Sequence, residues 1–469
     1  MDQRAAQKFV DEKWMDEIVP ELVEYIRIPC KSPHFDPDWE QHGYLDEAVK
    51  RVHAWCRKQD IPGLQAEIVR LPGRTPVIFM EIPGQGSDTI LLYGHLDKQP
   101  EMAGWADGLG PWVPVIKDSK LYGRGGADDG YAAFGSLTAI MAVQREKHPH
   151  ARCVVIIEAC EESGSYDLPY YIEHLKSRIG TPSLVICLDS GAGNYEQLWL
   201  TVSLRGLAAG TLRADVLREG VHSGYASGVV PSSFRVLRQL LSRLEDETTG
   251  RVIPEYFHAD IPHQRLEQTR NVAEALGDSI GAGYPFVDKT EPMADSNVDR
   301  ILNRTWRPAL SVTGAEGFPP LGSAGNVLRP YTSLKLSMRL PPTVDAEQAT
   351  VRMKETLEAN PPSGATVRFT TDQAASGWNA PAVAPWLHRS LEKASQSAYG
   401  RGVMYFGEGG TIPFMAMLGN AYPEAQFMIT GVLGPNSNAH GPNEFLHIPF
   451  ARKLTTCVAQ VIVDHFQRA

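Results

Sequence analysis

Cysteine is scarce in this chain. Six occur in 469 residues, at positions 30, 56, 153, 160, 187 and 457, and no two form a Cys-x-x-Cys pair. That excludes a disulfide framework and a thiolate metal cage. Several of the six lie inside apolar runs, where a thiol behaves as a small hydrophobe. Reduced core cysteines and a reducing compartment are expected. No apolar run approaches the roughly 20 residues that span a bilayer. Residues 1–19 are charged throughout, without the apolar core of a secretory leader. A cytoplasmic protein with no membrane partner is the expectation. Positive charge is also short: 45 Lys and Arg stand against 55 Asp and Glu, a net charge of −10. This argues against a nucleic-acid surface. His-Glu-x-x-His, Gly-x-x-x-x-Gly-Lys-Ser/Thr and Gly-x-Ser-x-Gly are missing too. The turn Gly123-Arg124-Gly125-Gly126 is followed by two acids, where a dinucleotide phosphate would sit.

What is present is an ordinary globular composition, 43% hydrophobic and 21% charged. The length favours two or three domains. Helical spacing of Phe9, Trp14, Ile18, Leu22 and Ile26 predicts a helix over 5–27, and a second is predicted over 45–58. Short β-prone runs follow at 66–69, 77–80, 90–93 and 113–116. A helix at 131–145, a strand at 152–158, a helix near 168–177 and a strand at 184–188 complete a β-α-β-α-β alternation. The fold class is α/β, a mostly parallel sheet flanked by helices. Near residue 200 the style changes. Runs 201–206, 210–216, 309–312, 334–340 and 366–370 alternate, as strands with one wet face do. Helices are expected at 234–244 and 345–358, with irregular short helical pieces over 250–300. From Trp386 the first style resumes, with a helix to about 398, a strand at 427–430 and a last helix from Pro449 to about 466. The predicted organisation is a first domain over 1–206, an inserted α+β domain over 207–380 and the remainder of the first domain over 381–469.

Chemistry-bearing residues fall at the ends of the apolar runs. Residues 91–97 read Leu-Leu-Tyr-Gly-His-Leu-Asp, so His95 ends a strand and Asp97 follows. Residues i and i+2 of an extended chain point the same way. A carboxylate so placed can accept one ring N–H and leave the other nitrogen for a metal. Asp128 and Asp129 follow the glycine turn, Glu161 and Glu162 follow the strand at 152–158, Asp189 follows 184–188, and His440 lies in the loop Asn438-Ala439-His440-Gly441. A helix start needs no more than one acid as a cap, and here there are two. Ligands gather at the carboxyl ends of strands in open α/β sheets, so these groups are expected to converge. His95, Asp128, Glu162, Asp189 and His440 offer two imidazoles and three carboxylates, a set for Zn²⁺, or for Mn²⁺ or Co²⁺, rather than Mg²⁺. They exceed the roughly three protein ligands of a catalytic zinc. With one carboxylate bridging they suffice for two metals about 3.5–4 Å apart. Glu161 is then free to act as general base.

The segments Gly94-His95-Leu96-Asp97, Leu121-Tyr122-Gly123-Arg124-Gly125 with Asp128-Asp129, Glu161-Glu162-Ser163-Gly164-Ser165, Asp189 and His440 resemble the dinuclear zinc metallopeptidases. That family includes carnosinase, cysteinyl-glycine dipeptidase, glutamate carboxypeptidase, aminoacylase and succinyl-diaminopimelate desuccinylase. The stretch from Gly104-Trp105 to Gly125 is most similar to the carnosinase and cysteinyl-glycine dipeptidase branch. The resemblance implies that Asp128 bridges both metals, His95 and Asp189 complete one site, and Glu162 and His440 the other. It makes Glu161 the base and Asp97 the group that orients His95. It implies that the inserted domain is a lid that forms a homodimer, with His222 reaching the partner's site to stabilise an oxyanion. Arg339 would hold the free carboxylate of the substrate, with Asn326, Gly410 and Thr411 as further contacts. The substrate would be a dipeptide or N-acyl amino acid. An exo-carboxypeptidase or N-deacylase is the alternative within the family, and a non-catalytic dimeric binding protein the alternative outside it. Many relatives carry Asp-Asp-Lys-Gly where this chain has Asp128-Asp129-Gly130-Tyr131, which bears on the substrate and not on metal binding.

Overall fold

The structure, a computed structural model, describes residues 1–468. The chain forms two compact units. One comprises Met1–Val202, Ala380–Phe406 and the chain from Met417 onward; the other comprises Ser203–Asn379 and Gly407–Ala416.

The first unit is built on a six-stranded sheet. Its order across the sheet is Gln65–Val69, Val77–Ile82, Arg152–Glu158, Thr89–His95, Pro182–Cys187 and Gln426–Ile429. The first two pairings are antiparallel, and the last four strands run parallel. Every residue of Thr89–His95 is buried, which suits a strand covered on both faces. The apolar helix Ala132–Arg145 packs on that strand and against the final helix, Ile448–Gln467. The helix expected over 5–27 is three consecutive segments, Gln3–Lys13, a wide turn at Trp14–Ile18, and Val19–Ile26. Pro20 lies at the junction. It has no N–H to continue the i→i−4 ladder, so the helix widens there. All six cysteines are buried free thiols.

The second unit is a four-stranded antiparallel sheet in the order Ala309–Glu316, Tyr331–Leu340, Gly206–Asp215 and Thr366–Ala375. Helices Ser233–Leu241 and Ala346–Glu358 bury Leu237, Leu240 and Met353 with Leu212, Met338 and Phe369 of the sheet. Residues 250–300 are more ordered than their composition suggests. They contain a fourteen-residue helix, His263–Leu276. Its buried stripe is Arg265, Thr269 and Val272, correct in spacing but mostly polar, so an apolar count misses it. Residues 407–416, expected in the first domain, pack with the second unit instead. The reason is local: the Arg205 guanidinium donates to the Gly409 carbonyl, and the Thr411 hydroxyl donates to the Arg205 carbonyl.

Candidate metal centre

The neighbouring strands Arg152–Glu158, Thr89–His95 and Pro182–Cys187 run parallel, so their carboxyl ends share one edge of the sheet. His95 ends the middle strand. Glu161 and Glu162 sit in a short turn just past one neighbour, and Asp189 lies two residues past the other. Asp128 lies in the loop Gly126–Gly130, just before the helix Ala132–Arg145, and its bond to Asp129 is cis.

These groups meet. Ligand atoms of His95, Glu161 and Asp189 lie within 4.8 Å of one another, and so do those of His95, Asp128 and Glu162. One oxygen of Asp128 is 3.4 Å from His95 Nε2, and its other oxygen is 3.1 Å from His440 Nε2. His440 Nε2 is also 3.3 Å from Glu162 Oε2, and His95 Nε2 is 3.7 Å from Asp189 Oδ2. Glu161 is drawn into the same cluster, its Oε2 4.0 Å from His95 Nε2. His440 has a positive φ of 65°, a left-handed conformation uncommon outside glycine but less so for Asn, Asp and His.

Asp97 does more than its spacing suggests. His95 Nδ1 lies 3.1 Å from the Asp97 backbone carbonyl and 3.5 Å from its carboxylate. The carboxylate also accepts the backbone N–H groups of Glu161 and Glu162, at 3.1 and 3.0 Å. It therefore fixes the turn that presents both glutamates.

The charge balance favours a cation. Burial, then the Asp189 charge, pushes Glu161 well above the usual carboxylate range. Burial, then the Asp128 charge, does the same to Glu162. Burial opposes ionisation of Asp128 too, but hydrogen bonds from His440 and His95 overcome it and hold that carboxyl low. Burial would lower His95, yet Asp189 and then Asp128 and Asp97 leave it well above its ordinary value. His95 Nε2 and Glu162 Oε1 are buried without a hydrogen-bond partner. Unsatisfied imidazole and carboxylate atoms among crowded acids are what a divalent cation would satisfy. The residues present therefore fit a metal.

Several supporting residues carry no signal in the sequence. Gln99 Nε2 donates to Glu162 Oε2 at 2.6 Å. Glu444, four residues past His440, is buried and paired at 2.6 Å with Arg124 of the glycine turn. Arg124 also donates to the Gly441 carbonyl, tying that turn to the His440 loop. Glu158 is buried and pushed up to about 8 by burial, then by the Asp97 charge, with Tyr93 donating to it.

The remaining candidates lie in the second unit, as two groups. Exposed His222 opposes Val327 in a two-residue ladder, and the Ser223 N–H donates to the carbonyl of exposed Asn326. Arg339 Nη1 is 3.5 Å from Thr411 Oγ1, one residue past Gly410.

The model for peptidase family M20/M25/M40 matches residues 91–464. A cysteinylglycine-S-conjugate dipeptidase from Corynebacterium striatum is 28% identical over 447 residues, covering 90% of this chain and 91% of that protein. The human Beta-Ala-His dipeptidase is 27% identical over 356 residues, covering 73% of this chain and 69% of that one. Among solved structures, the dipeptidase Dug1p of Saccharomyces cerevisiae shares the fold with a TM-score of 0.77 at 21% identity, over 100% of this chain and 99% of that one. A family match spanning the whole donor set, joined to a cluster of acids around buried His95, with exposed His440 at its edge, whose charge and open ligand atoms suit a cation, makes this chain a metallopeptidase belonging to peptidase family M20/M25/M40.

Proposed function

We propose that this metallopeptidase hydrolyses dipeptides, or closely related N-acyl amino acids with a free carboxylate, using two divalent ions, Zn²⁺ first and Mn²⁺ or Co²⁺ next. The observation that carries the reading is Asp128, whose two oxygens face His95 and His440 separately. His95 and Asp189 would hold one ion, and His440 and Glu162 the other, with Asp128 between them. A cation pair there supplies a water of lowered pKa and a polarised amide carbonyl. Glu161 takes a proton from the attacking water and returns it to the leaving amine. Its raised pKa suits a group that must do both. Asp97 holds the Glu161 backbone in place for this. Arg339 takes the free carboxylate of the substrate, with Thr411, Gly410 and Asn326 as further contacts. His222 stabilises the oxyanion in the site of a second subunit.

We infer a homodimer formed through the second unit. Exposed Val312 and Phe318 on and beside the Ala309–Glu316 edge strand, with Leu321 beyond, support that reading. The compartment we propose is the cytoplasm, supported by the six free thiols. Among the described residues no helix is long and apolar enough to cross a membrane.

The test is a panel of dipeptides, acyl amino acids and γ-glutamyl compounds, assayed with each metal and after chelation. Activity should vanish on metal removal and return on readdition. Glu161→Gln should retain its metal content by elemental analysis while kcat falls about 10²–10⁴-fold. Normal turnover by that variant would remove Glu161 from the chemistry.

A further inference from the structure

Around the 409–411 turn the second unit gathers arginines whose charge one substrate carboxylate does not use. Arg205 is buried, and its guanidinium donates to carbonyl oxygens: those of Asn303 at 3.1 Å, Gly409 at 3.3 Å and Arg307 at 3.5 Å. Burial, and then the charges of Arg339 and Arg304, hold it below the usual arginine value, down to about 10. Arg339 reaches Thr411, the Thr411 hydroxyl donates to the Arg205 carbonyl, and Arg205 and Arg304 both pack on Gly409, so the three arginines border one turn. Among the described residues none of the three is paired with a carboxylate. Such a set of like charges repels itself, and an anion placed among them relieves the repulsion.

Arg304 also touches the turn assigned to the carboxylate. A Cβ at Gly409 would fall 2.9 Å from the Arg304 carbonyl oxygen, 3.1 Å from Arg205 Nη2 and 3.2 Å from Arg304 Cγ. Glycine is needed there because both arginines press on the backbone that leads to Gly410 and Thr411. On its other side Arg304 lines a cavity of about 970 Å³, within the usual range of ligand sites. Aromatic Tyr284 and Phe286 form part of the wall. Arg251, Arg300, Arg304 and Arg307 line it too, with Glu291 as the one lining carboxylate among the described residues. Arg307 is occupied by Asp299 at 3.0 Å and Arg300 by neutral partners, whereas the Arg304 side chain is exposed and unengaged among the described residues.

We infer that Arg304 selects a second anionic group on the substrate, so that the preferred substrate is a dipeptide whose C-terminal residue bears an acidic side chain. Arg339 takes the α-carboxylate, and the acidic side chain runs past the 409–411 turn toward the cavity. Arg205 stays committed to its three carbonyl oxygens and adds only its charge. This inference rests on the proposed role of Arg339 and extends it to substrate choice.

The experiment compares Ala-Glu with Ala-Gln, which differ in charge at one position. The metal-loaded enzyme should show kcat/KM about tenfold or more higher for Ala-Glu. Arg304→Gln should bring the ratio down to about threefold or less, and Arg304→Lys should restore most of it. A wild-type ratio near one overturns the inference while leaving dipeptide hydrolysis intact. A large ratio that survives in Arg304→Gln overturns the assignment to Arg304. If neither peptide is cleaved, the wider substrate panel decides the proposed function, and calorimetry with free glutamate against free glutamine decides the inference alone. Tighter binding of glutamate that is lost in Arg304→Gln supports it, and equal binding overturns it.

Discussion

Gly94 stands one residue before His95, where strand and helix approach closely. A Cβ there would lie 2.3 Å from the Ala132 Cβ and 2.7 Å from Asp129 Oδ2. Asp129 Oδ2 accepts the His95 N–H at 3.3 Å, so the space left by the missing side chain lets Asp129 hold the histidine at the centre of the cluster. Gly94→Ala should therefore cost about 1–3 kcal/mol of stability through overpacking. It should also weaken metal binding by displacing His95. Thermal melts and a metal titration check both effects, and an unchanged melting temperature would show that the helix yields freely. Position 94 has no apolar or charged side chain to register in a pattern, so its role is invisible before the helix is placed. His95, Asp128, Glu162 and Asp189 were legible for the opposite reason. Each is a strong ligand type just past an apolar run or a glycine turn, and the parallel pairing of the strands does the rest.

The glycine turn and the His440 loop depend on one buried ion pair, Arg124 with Glu444, at 2.6 Å. Glu444 also accepts the Gly125 N–H at 2.9 Å. Burial, then the Asp128 charge, raises Glu444 to about 7, against the lowering by Arg124. Arg124→Met would leave that carboxyl buried without its ion-pair partner, a loss of about 3–5 kcal/mol. The sign with pH follows from the raised pKa. A carboxyl raised in the folded state contributes stability that is full below its unfolded pKa and is lost as pH rises toward the folded value. Removing Arg124 raises the folded value further. The deficit of the variant should grow from pH 5 to pH 8, as read from denaturant unfolding at each pH. A deficit independent of pH would mean that Arg124 acts through its packing alone. Neither partner was legible as a pair, because 320 residues separate them and neither has a local pattern. The helix His263–Leu276 is longer than the short helical pieces expected over 250–300 for a related reason, its buried stripe being carried by Arg265 and Thr269.

Across the molecule two titrations act on stability in opposite directions, and they can be separated. His465, buried in the last helix against Ser183 and the edge of Trp386, is pushed down to about 4 by burial and then by Arg468. A histidine depressed in the folded state contributes stability that is full above its unfolded pKa of about 6.5 and is lost as pH falls toward about 4. Its slope is at most about 1.4 kcal/mol per pH unit. His465→Gln, which can still bond Ser183, should flatten the stability profile in that window. The metal cluster works the other way. Without a cation, Glu161, Glu162 and Asp129 are raised, and so are His95 and His440. All five bind protons more tightly in the folded chain than in the unfolded one. Their contribution is therefore lost as pH rises, for the acids from about 4 and for the histidines from about 6.5. A divalent cation replaces those protons, so its binding releases them and tightens with pH. The rise in melting temperature on adding Zn²⁺ or Mn²⁺ should accordingly increase between pH 5.5 and pH 8. His465 titrates equally in the loaded and metal-free protein, so it cancels from that difference. A metal-induced rise that is constant or shrinks with pH would mean that the cation binds somewhere other than among these acids and imidazoles.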